Sequence, residues 1–445
     1  MKLTRCILVF LVIASMILAS CAPKAAPQET AAPVSSVAPA EKITLRLWDF
    51  GGAEFAWVDS LLIPQFEAKY PNIKLEHLGI PESDYSTKVD TAIAAGDVPD
   101  VALQSYMYKL WKAGHVLVLD DYMIRDGIKT SDFYPFFASW GMLDGKTYIM
   151  PGNTYIWAMA INKDLFKAAG LPELNADSVI TYDDWLNYAR AINKPSDKLE
   201  DRVFGSADFP PNWNSMNNYM SNPYVLGPDG KNCKDNASTA DWIRTWQDLA
   251  TAYKEGLTVE AGGALIGSSS TADLFKQGKV GMMYATYGDV RDFKKAGINV
   301  GLVGQPVVTP GWKGNVGAWT DSYAIMTKSK HPEEAWLLLK FITLEMSLEK
   351  ANGDCEQCGN SPSLISQANQ WAATDPVRQD AIKLLGRVVP PPFSPDVWTA
   401  VDPFYEAFRL MTEEKKDVAT TVKDASVECQ QKLDELWTTF NELGK

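Results

Sequence analysis

Beyond residue 42 the chain alternates between short runs of period two and longer stripes of helical period. Residues 43–50 alternate apolar and polar, with Ile43, Leu45 and Leu47 on one face, which predicts a strand broken by Gly51-Gly52. Val58, Leu61, Leu62, Phe66 and Tyr70 recur at helical spacing, and Pro71-Asn72 stops that helix. A second strand is predicted over 73–78 and a second helix over 85–95, closed by Gly96. Pro99 precedes a third strand over 100–103, and a helix follows from Tyr106. This order is that of an α/β domain with a largely parallel sheet.

Residues 147–161 read as a strand leaving this first lobe. Thr181, with Asp184 three residues on, forms a capping box ahead of the stripe Trp185, Tyr188, Ala189 and Ile192. Residues 241–253 are amphipathic, and short strands are predicted over 280–284, 300–303 and 323–326. Helices then dominate, over 333–348, 377–385, 397–411 and 418–443, with no internal repeat and no coiled-coil heptad.

The amino terminus sets the expected compartment. Lys2 and Arg5 precede an apolar run over 6–17, too short to span a bilayer and ending in small residues, as an export signal does. Leu18-Ala19-Ser20-Cys21 is similar to the lipobox of bacterial lipoproteins, so residues 1–20 are expected to be a signal peptide and Cys21 the lipidated residue. The plainer alternative is a secretory signal with an incidental cysteine. Residues 21–42, rich in Ala, Pro, Ser and Val, are expected to be an extended tether. The expected product is extracytoplasmic and held to the cell membrane by its N-terminal lipid alone.

Residues 43–445 suffice for two lobes, given domains of about 100–200 residues. An apolar content of 46% with 15 Trp fills sizeable cores and leaves rings to spare. The net charge of −13 argues against nucleic acid, whose phosphates want clustered cations. Of six Cys, Cys6 would leave with the signal and Cys21 would carry lipid; Cys233, Cys355, Cys358 and Cys429 could oxidise in any of three pairings. Cys355-Glu356-Gln357-Cys358 has redox-motif spacing but sits in a loop-like stretch of Gly and Asn, which favours a structural bridge. His77, His115 and His331 are far apart, phosphate-loop and Gly-x-Ser-x-Gly patterns are missing, and neither metal nor cofactor is expected. A glycosidase needs only two carboxylates brought together in space, so that rival lacks positive support without being eliminated.

Five segments resemble, in consistent order, the extracellular solute-binding proteins of ABC-type sugar importers, the maltose-binding protein family. They are Ala94-Ala95-Gly96-Asp97-Val98-Pro99-Asp100-Val101; Ala160-Ile161-Asn162-Lys163-Asp164-Leu165-Phe166 with Ala169-Gly170-Leu171; Thr181-Tyr182-Asp183-Asp184-Trp185; Phe275-Lys276-Gln277-Gly278-Lys279-Val280-Gly281-Met282; and Tyr323-Ala324-Ile325 with Lys328-Ser329 and Pro332-Glu333. The resemblance implies two α/β lobes of periplasmic-binding-protein type, joined by crossing strands with the ligand cleft between them. It places residues 43–150 and 289–328 in lobe 1, and residues 151–288 and 329–445 in lobe 2. It implies a monomeric, non-catalytic receptor that passes a mono- or oligosaccharide to a membrane permease.

A sugar cleft wants aromatic rings beside hydrogen-bonding groups. The family's positions, carried over one at a time, fall on Trp48, Asp49 and Glu54 after the first strand, on Gln104 and Tyr106 after the third, and on Tyr155 and Trp157 in the crossing strand, of which one is expected to face the cleft. They continue with Trp213, Tyr287, Trp319 and Asp321, and Trp398. At Ala285-Thr286-Tyr287 the family's Gly-x-Trp is replaced, so that ring's placement is open. Each also has a structural reading, as strand plug, cap or helix packing. Trp57, Trp111, Trp185, Trp242, Trp246 and Trp336 lie on helical stripes and read as core. The same fold could bind a polyol phosphate or a polyamine instead; a more distant alternative is an anchored extracellular glycoside hydrolase.

Overall fold

The computed structural model describes residues 42–445 apart from 53–54, 105–107, 208–224, 228, 236–238, 260–269, 308–315, 354–357, 389–392 and 444–445. The described residues form a mixed α/β body around a nine-stranded sheet. Its strands are β1 (Ile43–Asp49), β2 (Ile73–Gly79), β3 (Val101–Leu103), β4 (Met150–Asn162), β5 (Phe204–Ala207), β6 (Val280–Ala285), β7 (Val300–Val303), β8 (Gly317–Ile325) and β9 (Ser361–Pro362). Their order is β2-β1-β3-β8-β4-β6-β5, with β7 and β9 also paired to β4.

The sheet is parallel at β2-β1-β3 and at β5-β6. It is antiparallel through its middle, where β8 joins β3 to β4 and β4 joins β6. The largely parallel sheet expected for the first domain from strand–helix alternation is borne out at β2-β1-β3. Alternation predicts the crossover units, whereas the long strands running between two cores obey no such rule.

Three apolar clusters explain why the chain divides. The first gathers Leu45, Leu47, Val101, Met150, Tyr323, Ile325 and Trp336. The second is built on Met159, Trp185, Trp242, Trp246, Phe404 and Leu433, and the third on Ile156, Ala158, Phe275, Leu302 and Trp371. β4 enters with Met150 in the first core and continues with alternate residues in the other two; β8 returns from Ala318 in the third core to Tyr323 in the first. These two strands are the crossing pair. The six Trp read as core are all among the fully buried side chains.

Packing groups two segments differently from the expected boundaries. β7 pairs with the far half of β4 and buries Val300 and Leu302 in the third core, whereas residues 289–328 were expected in lobe 1. Helix Pro332–Lys340 lays Ala335, Trp336, Leu338 and Leu339 on the first core, whereas residues 329–445 were expected in lobe 2. In each case the apolar stripe follows the sheet half it covers rather than its neighbours in sequence.

Local signals act as expected at several element ends. Gly96 closes helix Glu82–Ala95 at φ +72, and the Thr181–Asp184 capping box opens helix Tyr182–Ile192. Two expected helices are broken. The span 333–348 passes through a π-turn at Phe341–Glu345, and 397–411 is split between Val397–Val401 and Pro403–Thr412, where Pro403 has no N–H to continue the first. Of the three possible cysteine pairings, the structure contains Cys233–Cys429, which joins residues 196 apart. Cys358 is also disulfide-bonded; Cys355, Cys21 and Cys6 lie outside the described residues.

Candidate ligand-binding cleft

The carboxyl ends of β1 and β3 meet the crossing strands at one place, where an α/β sheet presents ligand groups. β1 ends in Trp48 and Asp49, both buried. Asp49 Oδ1 accepts from the Gly51 N–H at 2.8 Å, and Oδ2 lies 2.9 Å from His77 Nε2. His77 Nδ1 in turn lies 3.1 Å from Asp59 Oδ1. Burial works against the imidazolium, but the Asp49 and Asp59 carboxylates outweigh it and raise the His77 pKa above its ordinary value. Gly51 sits at φ +67, and a Cβ there would meet the Gly79 carbonyl carbon at 2.7 Å, so the turn over the end of β2 requires glycine.

Gln104 follows β3, and its backbone N–H donates to Ser322 O at 2.8 Å. Its side chain is fully buried, yet neither amide oxygen nor amide nitrogen has a hydrogen-bond partner. A buried amide left this way costs about 1–3 kcal/mol.

On the crossing strands, Tyr155 of β4 stands opposite Trp319 of β8, and the Tyr155 hydroxyl donates to Asp321 Oδ2 at 2.5 Å. The ladder is irregular between Thr320 and Ser322, and Gly152 passes so near that a Cβ would meet Asp321 O at 2.7 Å. A bulge of this kind re-aims the side chain beside it. Lys350 Nζ reaches the same Asp321 oxygen at 3.5 Å and lies 3.9 Å from the Trp57 ring centroid. Burial pushes the Lys350 amine down and the Asp321 carboxyl up; each offsets the other's isolation.

Trp157 stacks on Tyr284 with ring centroids 4.9 Å apart, and its buried indole N–H has no hydrogen-bond partner. Tyr155 and Trp157 are two residues apart in one strand and share a face, with Ile156 turned into the third core between them. The expectation that only one could face the cleft misapplied the strand period.

The other expected positions divide as follows. Trp319 is half-buried beside this group. Tyr287 is not brought to it: Thr286 caps a helix that turns the ring onto Trp371 at 4.7 Å, with Arg378 Nε donating to its hydroxyl at 3.3 Å. Burial pushes the Tyr287 hydroxyl up to about 12. Glu54, Tyr106 and Trp213 lie outside the described residues, as does the side chain of Trp398. Sequence reasoning missed His77, Lys350 and Tyr284. Lys350 lies in a polar-looking helical stretch, and His77 in an ordinary strand, so only the carboxylates facing them mark either one. Among the described residues no group of three or more His, Cys, Asp or Glu could hold a metal, and no helix is long and apolar enough to cross a membrane.

Residues 51–347 match the family described as bacterial extracellular solute-binding protein. A protein of Brucella abortus (strain 2308), named only as a binding protein, is 29% identical over 289 residues, which are 62% of this chain and 66% of that one. The chain thus spans just under two thirds of that relative's length. Among solved structures, the sugar-binding protein MalE of Xanthomonas citri aligns with a TM-score of 0.74 at 18% identity, covering 90% of this chain and 100% of that one. UgpB of Mycobacterium tuberculosis, in complex with glycerophosphocholine, aligns at 0.69 and 16% identity over 88% and 98%. At these identities the structural likeness is one of fold.

Proposed function

Because the chain belongs to the bacterial extracellular solute-binding proteins, we propose that it captures a neutral carbohydrate, a mono- or oligosaccharide, and delivers it to an ABC transporter permease. The first core forms one lobe and the other two cores form the second, with β4 and β8 crossing between them. The role is capture without chemistry. The body acts as a monomer outside the cytoplasm, tethered through lipid on Cys21, and takes no nucleic acid.

The observation that carries the ligand class is the state of the charges around Gln104. Asp49 is occupied by Gly51 and His77, and Asp321 by Tyr155 and Lys350. What remains on offer is a neutral amide, able to donate and accept, with Trp319 on the same strand as Ser322, whose carbonyl accepts the Gln104 backbone N–H. Hydroxyls and flat C–H faces satisfy such a site. A polyamine would want open carboxylates around the rings, and a phosphate would want an open cation.

A polyol phosphodiester is the second reading, supported by the fold shared with the glycerophosphocholine-bound protein. Intrinsic Trp fluorescence and melting temperature, followed across a panel of mono- and oligosaccharides with glycerophosphocholine included, test both. A response to a sugar alone supports the first reading. A response to glycerophosphocholine alone replaces it with the second.

A further inference from the structure

The C-terminal helix, Val418–Glu442, is seated in two cores at once. Its first turns put Val422, Cys429 and Leu433 into the second core, while Phe440 near its end belongs to the first. Trp437, between them, packs against both.

Each seat is held differently. At the second-core end the disulfide joins Cys429 to Cys233, and Gln430 Oε1 accepts from the Cys233 N–H at 2.8 Å while its Nε2 donates to Lys231 O at 2.9 Å. Trp437 Nε1 continues this join by donating to Gly230 O at 2.9 Å. At the first-core end the fastening is aromatic. Phe393 lies 5.6 Å from both Trp437 and Phe440, and 4.6 Å edge-on from Tyr108. Tyr108 opens the helix that follows β3 and Gln104, so the ring cluster backs onto the chain leaving the cleft.

We propose that the C-terminal helix is an inter-lobe strut whose aromatic seat, Tyr108, Phe393, Trp437 and Phe440, sets the resting angle between the lobes from outside the cleft. A helix fixed at one end by a covalent bond and at the other by ring packing can release only the ring end when the lobes rotate. Burial and ring contacts there therefore contribute to one lobe arrangement and not to another, which is the condition for shifting a two-state equilibrium. No ligand enters the proposal, so it stands or falls apart from the carbohydrate reading.

The test measures the distance between spin labels attached through p-acetylphenylalanine introduced at Ile124, exposed on the first lobe, and at Val179, exposed on the second. Ligand-free full chain is compared with Trp437→Phe, which shrinks the ring packed on Phe393 and Phe440, and with Phe440→Leu and Phe440→Ala. Phe404→Leu, wholly within the second core, is the packing control. The expected result is a shift or broadening of the distance distribution in the seat variants, with the control lowering the melting temperature at unchanged distances. Seat variants that lower the melting temperature while leaving the distances unchanged overturn the proposal. If Phe440→Ala does not fold, Trp437→Phe and Phe440→Leu decide by the same criterion.

Discussion

The Tyr155 hydroxyl and the Asp321 carboxylate meet at 2.5 Å across the two strands that run between the cores, and Lys350 Nζ lies 3.5 Å from the same oxygen. The three groups form one buried unit, in which the Tyr155 hydroxyl and the Lys350 amine both face one Asp321 oxygen.

Removing one charge of that unit should therefore be costly and removing both much less so. Lys350→Met is expected to cost about 3–5 kcal/mol of stability, because it leaves Asp321 buried without its cation. The Lys350→Met, Asp321→Asn double variant should recover part of the loss. Chemical denaturation of all four members of the cycle measures the coupling, and additive losses would mean that the pair is not a unit.

Gln104 should trade stability against binding. Replacing its unpartnered amide with an apolar group of similar size, as in Gln104→Met, is expected to raise stability by about 1 kcal/mol or leave it unchanged. The same change should weaken capture of whichever sugar the panel identifies by about tenfold or more, the worth of about 1.4 kcal/mol. Titration by Trp fluorescence alongside thermal melts reads both. A stability loss with unaltered affinity would remove Gln104 from the cleft.

The pH dependence of His77 follows from its two carboxylates. Its pKa is raised in the folded chain, so its contribution is fully present below the unfolded value near 6.5 and is lost as pH rises through the higher folded value. The stability difference between the chain and His77→Asn should accordingly be greatest in mild acid and shrink toward alkaline pH. Denaturation across that range measures it, and NMR titration of the imidazole should place its midpoint above 6.5. A midpoint below that value would contradict the arrangement.

Loss of the Cys233–Cys429 bond should be felt globally, because it closes a loop of 196 residues. Cys429→Ser is expected to cost about 2–4 kcal/mol. Its melting temperature should also respond less to reductant than that of the unsubstituted chain, since only the remaining disulfide is left to reduce.

Much of the scaffold was legible because its signals are local. The alternation of β1, the glycine after helix Glu82–Ala95 and the Thr181–Asp184 box need only neighbours within a turn or two. The same locality explains the errors. Nothing near Phe341 announces a π-turn, and helix Pro332–Lys340 covers the first core because of a sheet half that is distant in sequence. The site was half legible. Gln104, Tyr155 and Asp321 lie together, whereas Trp48 packs in the first core and Tyr287 is drawn away by Trp371 and Arg378, partners more than 80 residues downstream. Buried charges such as Lys350 resist recognition in sequence, because their partners come from other elements.

β4 contributes to all three cores and carries Tyr155 and Trp157 on one face. Its middle is also pinned by Asn153, whose amide donates to Ser347 O and Asn360 O at 3.1 and 3.0 Å. A single inserted residue there would turn everything beyond it to the opposite side, sending the side chains that fill the second core toward the third and those of the third toward the second. The span Met150–Asn162 therefore has no tolerance for a change of length.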